Sequence, residues 1–202
     1  MINIDNIDNQ NALNKFLLSC DTTQVLMDAA SILAIAIPEI QPMFGFNQNN
    51  PHHHLDVWEH TMAAVAAIPA GHPDTAILRL IMLFHDIGKP HTYTEDEDGI
   101  GHFYGHPKVS ADIAREILLR LHYDSATIET TTQLILFHDI QIEARRKIIK
   151  RRLNRFGEEQ LRRLLHIKTA DAMAQSPQYR QAKLDLINNV LPIIDSIIAQ
   201  QR

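Results

Sequence analysis

Apolar residues recur at three- and four-residue intervals along most of the chain, the spacing that lines one face of a helix. No run of alternating Val, Ile or Thr is long enough for a central strand, so the pattern predicts an all-α fold. Residues 13–20 and 23–37 read as two opening helices, the second stopped by Pro38 and Pro42. A loop containing Gly, Asn and Pro follows over residues 44–54, and residues 55–68 resume the helical period. Pro73-Asp74 starts the next helix, whose apolar face of Ile77, Leu80, Ile81 and Phe84 runs into His85-Asp86 before Gly88 and Pro90 halt it.

Between His91 and His106 the helical period disappears. There Tyr93-Thr94 and Phe103-Tyr104 flank an acidic Asp98-Gly99 turn, which predicts a short β-hairpin-like flap. Pro107 then opens a helix to about His122, and further helices are expected at 125–138, 142–156, 158–173 and from Ser176-Pro177 to about Gln200. Gly157 separates the third and fourth of these helices. With no internal repeat and no low-complexity linker, one helical bundle over residues 44–202 is expected, with the helices of residues 1–43 packed on it.

Composition narrows this picture in a few places. Cys20 is the only cysteine, which excludes an intrachain disulfide and a thiolate-based structural zinc site. The most apolar stretch, residues 25–37, is interrupted by Asp28 and Ser31 and falls short of the roughly 20 residues that cross a bilayer. Residues 1–11 carry no basic residue, unlike a secretory leader, and a cytoplasmic protein without membrane attachment is expected. A net charge of −5 argues against wholesale coating of nucleic acid and leaves room for a local basic patch. Twelve histidines are the compositional oddity, because His is the commonest metal ligand and is costly to scatter through a core.

Four of the residues that bear this chemistry sit at suggestive places: His60 within one helix, His85-Asp86 at the end of another, and Asp171 near the end of a distant one. Neighbouring residues project about 100° apart around a helix, so a His-Asp pair meets one ion more easily from a fraying end, which Gly88 supplies. Nitrogen and carboxylate donors without sulfur suit a divalent ion (Mn, Mg, Ni, Co, Fe or Zn) that keeps positions open for water and substrate.

The strings Gly45-Phe46-Asn47-Gln48-Asn49-Asn50-Pro51, Asp56-Val57-Trp58-Glu59-His60-Thr61, Phe84-His85-Asp86-Ile87-Gly88-Lys89-Pro90, Gly101-His102-Phe103-Tyr104-Gly105-His106-Pro107 and Ala170-Asp171 carry a resemblance. In order and spacing they resemble the HD-domain metal-dependent phosphohydrolases, and in particular the C-terminal HD domain of bacterial CCA-adding tRNA nucleotidyltransferases, over residues 44–180. The resemblance implies metal ligation by His60, His85, Asp86 and Asp171. It also implies a possible second ion at His106 and His138, with Asp86 bridging; the alternative, that these two histidines surround a single ion, stays open. The Gly-Ser turn and paired carboxylates of the polymerase domain have no counterpart, since Asp96-Glu97-Asp98 follows the His-Asp motif, so CCA addition by this chain alone is not expected.

For such a centre, hydrolysis of a phosphomonoester or phosphodiester of a nucleotide or RNA end by metal-activated water is the expected reaction. Asp86 would orient the water or bridge two ions. Lys89 either neutralises a phosphate oxygen or caps its helix end. His53 and His102 are candidate substrate contacts, the first by its match to a family position and the second on the flap. Nine of the 19 Lys and Arg fall within residues 145–163, so Arg145 and Arg146 head either a solvated helix face or a groove for a nucleotide or RNA backbone. Two further classes remain open at this stage: a non-catalytic RNA-binding module and a di-iron oxygenase with the same six-residue set.

Overall fold

The structure, a computed structural model, describes Ile7 and residues 9–19 and 22–201. The predicted helix end at Cys20 lies outside the described residues, as does most of the stretch read for a leader. The described chain is helical apart from one two-stranded hairpin, in the order α1 (Gln10–Ser19), α2 (Thr23–Asp28), α3 (Ala30–Ala36), a 3-10 turn (Pro38–Met43), α4 (Val57–Ala66), α5 (Thr75–Phe84) and α6 (Lys89–Thr92). Next come β1 (Thr94–Glu95), β2 (Gly101–His102), α7 (His106–Arg120), α8 (Ser125–Phe137), α9 (Arg146–Ala174) and α10 (Pro177–Ala199). The expected all-α class holds. No described helix is long and apolar enough to cross a membrane.

α5 is the central element. Leu78, Leu80, Ile81, Met82, Leu83 and Phe84 are all buried, because α4, α7, α8 and α9 pack around it. Arg79 lies on the same helix at 1% exposure and donates to the backbone carbonyls of Leu17 and Ile68, tying α1 and the end of α4 to α5. A capping box begins α4: the Asp56 side chain accepts from the Glu59 N–H, and the Glu59 carboxylate accepts from the Asp56 N–H. That box fixes the phase of α4, so Val57, Thr61 and Val65 face the core and His60 faces α5.

Several expected boundaries move. The predicted helix 23–37 is two helices, because Ala29 (φ −86°, ψ 0°) kinks the chain while Leu26, Ala29 and Leu33 all stay buried. Asp74 stands at the N-cap of α5, where the helix was expected to start, but its side chain makes no capping bond. Its carboxylate instead accepts from Arg163 of α9 at 2.9 and 3.0 Å. The basic helix starts at Arg146 rather than residue 142, and Ile142 is buried in the loop before it. Gly157, at φ 74° and ψ 168°, breaks α9 into two helical runs as expected. The flap pairs Thr94 with His102 and Glu95 with Gly101, one residue inside the first predicted flank and two inside the second. It is pinned to the 44–54 loop where Gly101 donates to the Asn49 carbonyl at 2.8 Å and Asn50 donates to the Gly101 carbonyl at 3.0 Å.

Candidate metal centre

Five elements end at, or open onto, one buried point. His60 comes from mid-α4, His85-Asp86 from the turn after α5, His106 from the first residue of α7, His138 from the C-cap of α8, and Asp171 from the last turns of α9. α5 stops at Phe84, and the chain turns through His85 to Gly88 before α6 begins at Lys89, so the adjacent His and Asp reach the same point from a helix end. Gly105 sits at φ +81° immediately before α7, a left-handed conformation that favours glycine and aims His106 inward.

The four imidazoles are held alike. Each Nδ1 donates to a backbone carbonyl: His60 to Ala174 at 3.3 Å, His85 to Met82 at 2.7 Å, His106 to Phe103 at 2.8 Å and His138 to Ile135 at 2.7 Å. With the proton on Nδ1, each Nε2 presents a lone pair to the interior. These lone pairs meet in two pairs, His60 with His85 and His106 with His138, each 3.3 Å apart. All four histidines are buried.

Asp86, 1% exposed, lies between the two pairs and serves each with a different oxygen. Oδ2 is 3.4 Å from His60 Nε2 and 3.2 Å from His85 Nε2, while Oδ1 is 3.3 Å from His106 Nε2 and 3.7 Å from His138 Nε2. Asp171 Oδ1 joins the first group, 3.1 Å from His60 and 3.9 Å from His85. Nitrogen lone pairs facing one another beside carboxylates repel unless a cation lies among them, and a backbone carbonyl on the far ring nitrogen is the usual support of a ligating His. The residues present therefore fit divalent cations, in two groups that share Asp86. Burial pushes both carboxyls toward their neutral forms. The facing His85 and Lys89, with His106 and His138 alongside, nonetheless hold Asp86 well below the usual carboxylate range. Contact with His60 and the proximity of His85 do the same for Asp171.

The surroundings also orient these groups. Lys89 is 4% exposed, with Nζ 2.7 Å from Asp86 Oδ2 and 2.8 Å from Gln48 Oε1. Gln48 has no signal of its own in the sequence beyond its place in the 45–51 string; it donates in turn to the Leu55 carbonyl at 3.1 Å. Gln175 was likewise not anticipated. It donates to Asp171 Oδ2 at 2.9 Å and accepts from Lys183, in the second turn of α10. Its spacing of four residues from Asp171 is the sequence signal that marks it.

A cleft of about 480 Å³ opens over the centre and is lined by Asp86, Lys89, His106, His138 and Asp171 together with His53 and His102. His53 has a buried Nδ1 without a hydrogen-bond partner. Burial and the nearby Lys89 and His60 lower its pKa to about 2, so it is neutral at pH 7. His102 is held by Asp96 at 2.8 Å and stacks on Tyr104 at the rim. Arg145 and Arg146 do not reach the cleft: Arg145 pairs with Glu143, and Arg146 donates to Ser196 and Gln200 on α10.

Comparison with known proteins matches residues 52–175 to the HD domain family. An A-adding tRNA nucleotidyltransferase from Deinococcus radiodurans is 34% identical over 155 residues, 73% of this chain and 34% of that protein. A CC-adding tRNA nucleotidyltransferase from Thermus thermophilus is 33% identical over 159 residues, 78% of this chain and 36% of that protein. A multifunctional CCA protein from Azoarcus is 35% identical over 99 residues, 48% of this chain. The chain thus spans about a third of the length of the first two relatives. All six converging side chains fall inside the matched segment, and the chain belongs to the HD domain family.

Proposed function

We propose that this chain is a metal-dependent phosphohydrolase that cleaves a phosphomonoester or phosphodiester bond of a nucleotide or RNA end. The observation that carries the reading is Asp86, which turns one oxygen toward each of two pairs of imidazole lone pairs in a buried centre open to a cleft. His60, His85 and Asp171 would hold one divalent ion, His106 and His138 a second, with Asp86 between them. When bound, such ions supply a water acidified toward neutral pH and a Lewis acid for a phosphoryl oxygen.

The chain's own residues supply the rest. Lys89 holds Asp86 in orientation and presents its buried positive charge to a phosphoryl oxygen entering the cleft. The neutral His53 offers a hydrogen-bonding ring nitrogen rather than a charge. Gln175 fixes Asp171. The hairpin and the 44–54 loop, locked together through Gly101 and Asn50, wall one side and limit access of bulk water. Nucleotide and RNA substrates are favoured because the named relatives act on tRNA, and the exposed Lys147, Lys150 and Arg151 of α9 suit a phosphate backbone outside the cleft.

The test is hydrolysis of a panel of phosphomonoesters and cyclic and linear phosphodiesters with added Mn, Co, Ni or Mg. Turnover is expected in the wild type and is lost in Asp86→Ala, whose far-UV circular dichroism stays helical. Equal turnover in the variant and the wild type, or none in the wild type with any ion, overturns the reading.

A further inference from the structure

A second chamber of about 410 Å³ adjoins the cleft, within the ~300–1,000 Å³ typical of small-ligand sites. It lies between the 139–143 loop, α9 and α10. Its walls are Ile140, Ile142, Leu165, Leu186, Ile187 and Val190. Asp139, Asp171 and Lys183 line both spaces, so the apolar chamber and the metal-facing cleft share one wall. Leu186 stands 42% exposed there, a large apolar side chain turned to the opening, whereas Leu165 and Val190 behind it are at 2% and 0%.

Two cations define the chamber's polarity. Lys183 stands at the junction and is held by Gln175, which also orients Asp171. Lys168 lies deeper, one turn before Asp171 on α9, and donates to the His138 carbonyl at 2.9 Å. An alkyl group in the chamber would leave the Lys168 ammonium facing hydrocarbon. An aromatic ring meets it through its π face or a ring acceptor atom.

We propose that this chamber binds the aromatic group of a phosphate ester whose phosphoryl end sits at the Asp86 centre, with Lys183 at the junction meeting a phosphoryl oxygen. The inference rests on the phosphohydrolase reading for the position of the phosphoryl end, and it adds the substrate class: esters of aromatic or ring-bearing alcohols over small aliphatic ones.

Binding tests it without turnover. Calorimetric titration of the Mn-loaded chain with 1-naphthylmethylphosphonate and with methylphosphonate is expected to show at least about tenfold tighter binding of the naphthyl ligand, and Leu186→Glu is expected to bring the two within about twofold. Leu186 is partly exposed, so that substitution leaves the packing behind it in place; Leu186→Gln repeats the test without a charge. Equal affinities in the wild type, or an undiminished naphthyl advantage in both variants, overturn the proposal. If no ester is hydrolysed yet the naphthyl advantage depends on Leu186, the hydrolase reading fails and the chamber stands. If esters turn over with no naphthyl advantage in binding, the chamber assignment alone fails.

Discussion

Gly88 offers the sharpest test of how the two halves of the centre are kept in register. Its backbone is ordinary right-handed helix (φ −82°, ψ −12°), so no conformational need explains the glycine. Space does. A Cβ there would lie 2.6 Å from Ser110 N, 2.8 Å from the His106 carbonyl oxygen and 2.9 Å from Ser110 Oγ, where ordinary contact begins at 3.4 Å. Two of those atoms are backbone in the first turns of α7, so no side-chain rotation relieves the overlap. Gly88→Ala therefore drives α7 away by roughly 0.8 Å and weakens the 2.9 Å bond from Gly88 N–H to Ser110 Oγ. His106 is the first residue of α7, and its Nε2 lies 3.3 Å from Asp86 Oδ1, so the displacement opens the His106–His138 half and spares His60, His85 and Asp171.

Overpacking of this kind costs about 1–3 kcal/mol. For a chain of this size that lowers Tm by roughly 2–12 °C. A misplacement near 1 Å costs about 100-fold in turnover. Calorimetric titration with Mn should fall from two ions per chain to one, while Gly71→Ala, where a Cβ meets nothing within 4 Å, changes stability by less than about 0.5 kcal/mol. A Gly88→Ala chain that melts like the wild type and still takes two ions refutes the reasoning.

Lys89→Met should keep both ions in the same titration yet lose about 100-fold in kcat/KM, because it removes a buried charge facing the phosphoryl group; full activity would assign Lys89 to the helix end alone. Chelation should lower Tm, and Mn restored at 100 times its Kd should recover about 2.7 kcal/mol of stability, measured by thermal melts; His85→Ala should abolish most of the gain. The Arg163 hydrogen bonds hold Asp74 below its ordinary value of 3.8, so this pair stabilises the fold above that pH and the contribution fades as pH falls through the lower folded-state value. Both side chains are partly exposed, and Asp74→Asn should cost about 1 kcal/mol in urea unfolding at pH 7, with the gap narrowing at pH 3; a pH-independent gap would place the cost elsewhere.

The run of periodic apolar residues, the prolines at 38 and 42, the glycine at 157 and Gly88 after the His-Asp pair made most of the helices and the helix end that presents His85-Asp86 readable, since each signal acts over one or two turns of chain, whereas His60 and Asp171 were grouped with that pair by the family resemblance. The kink at Ala29 had no such signal: alanine is the best helix former, and only the burial of Leu26 and Leu33 on either side accounts for the turn. The four-residue α6 was hidden by Pro90, which read as a stop but occupies the second position of a new helix, where its missing N–H costs nothing. Ile142 extended the helical period into what is a loop, because a buried residue in a chamber wall looks the same in one dimension as one on a helix face.

Local order along the chain fixed which side chains are chemically capable and which helix ends present them. It could not fix that Asp86 divides its two oxygens between His60–His85 and His106–His138, that Asp171 meets His60, that Gln48 holds Lys89, or that Arg146 turns toward α10. Those facts depend on distances between segments 20 to more than 100 residues apart, set by how α4, α7, α8 and α9 pack around α5. Helix periodicity encodes a face but not its partner, and the partner decides where a carboxylate points.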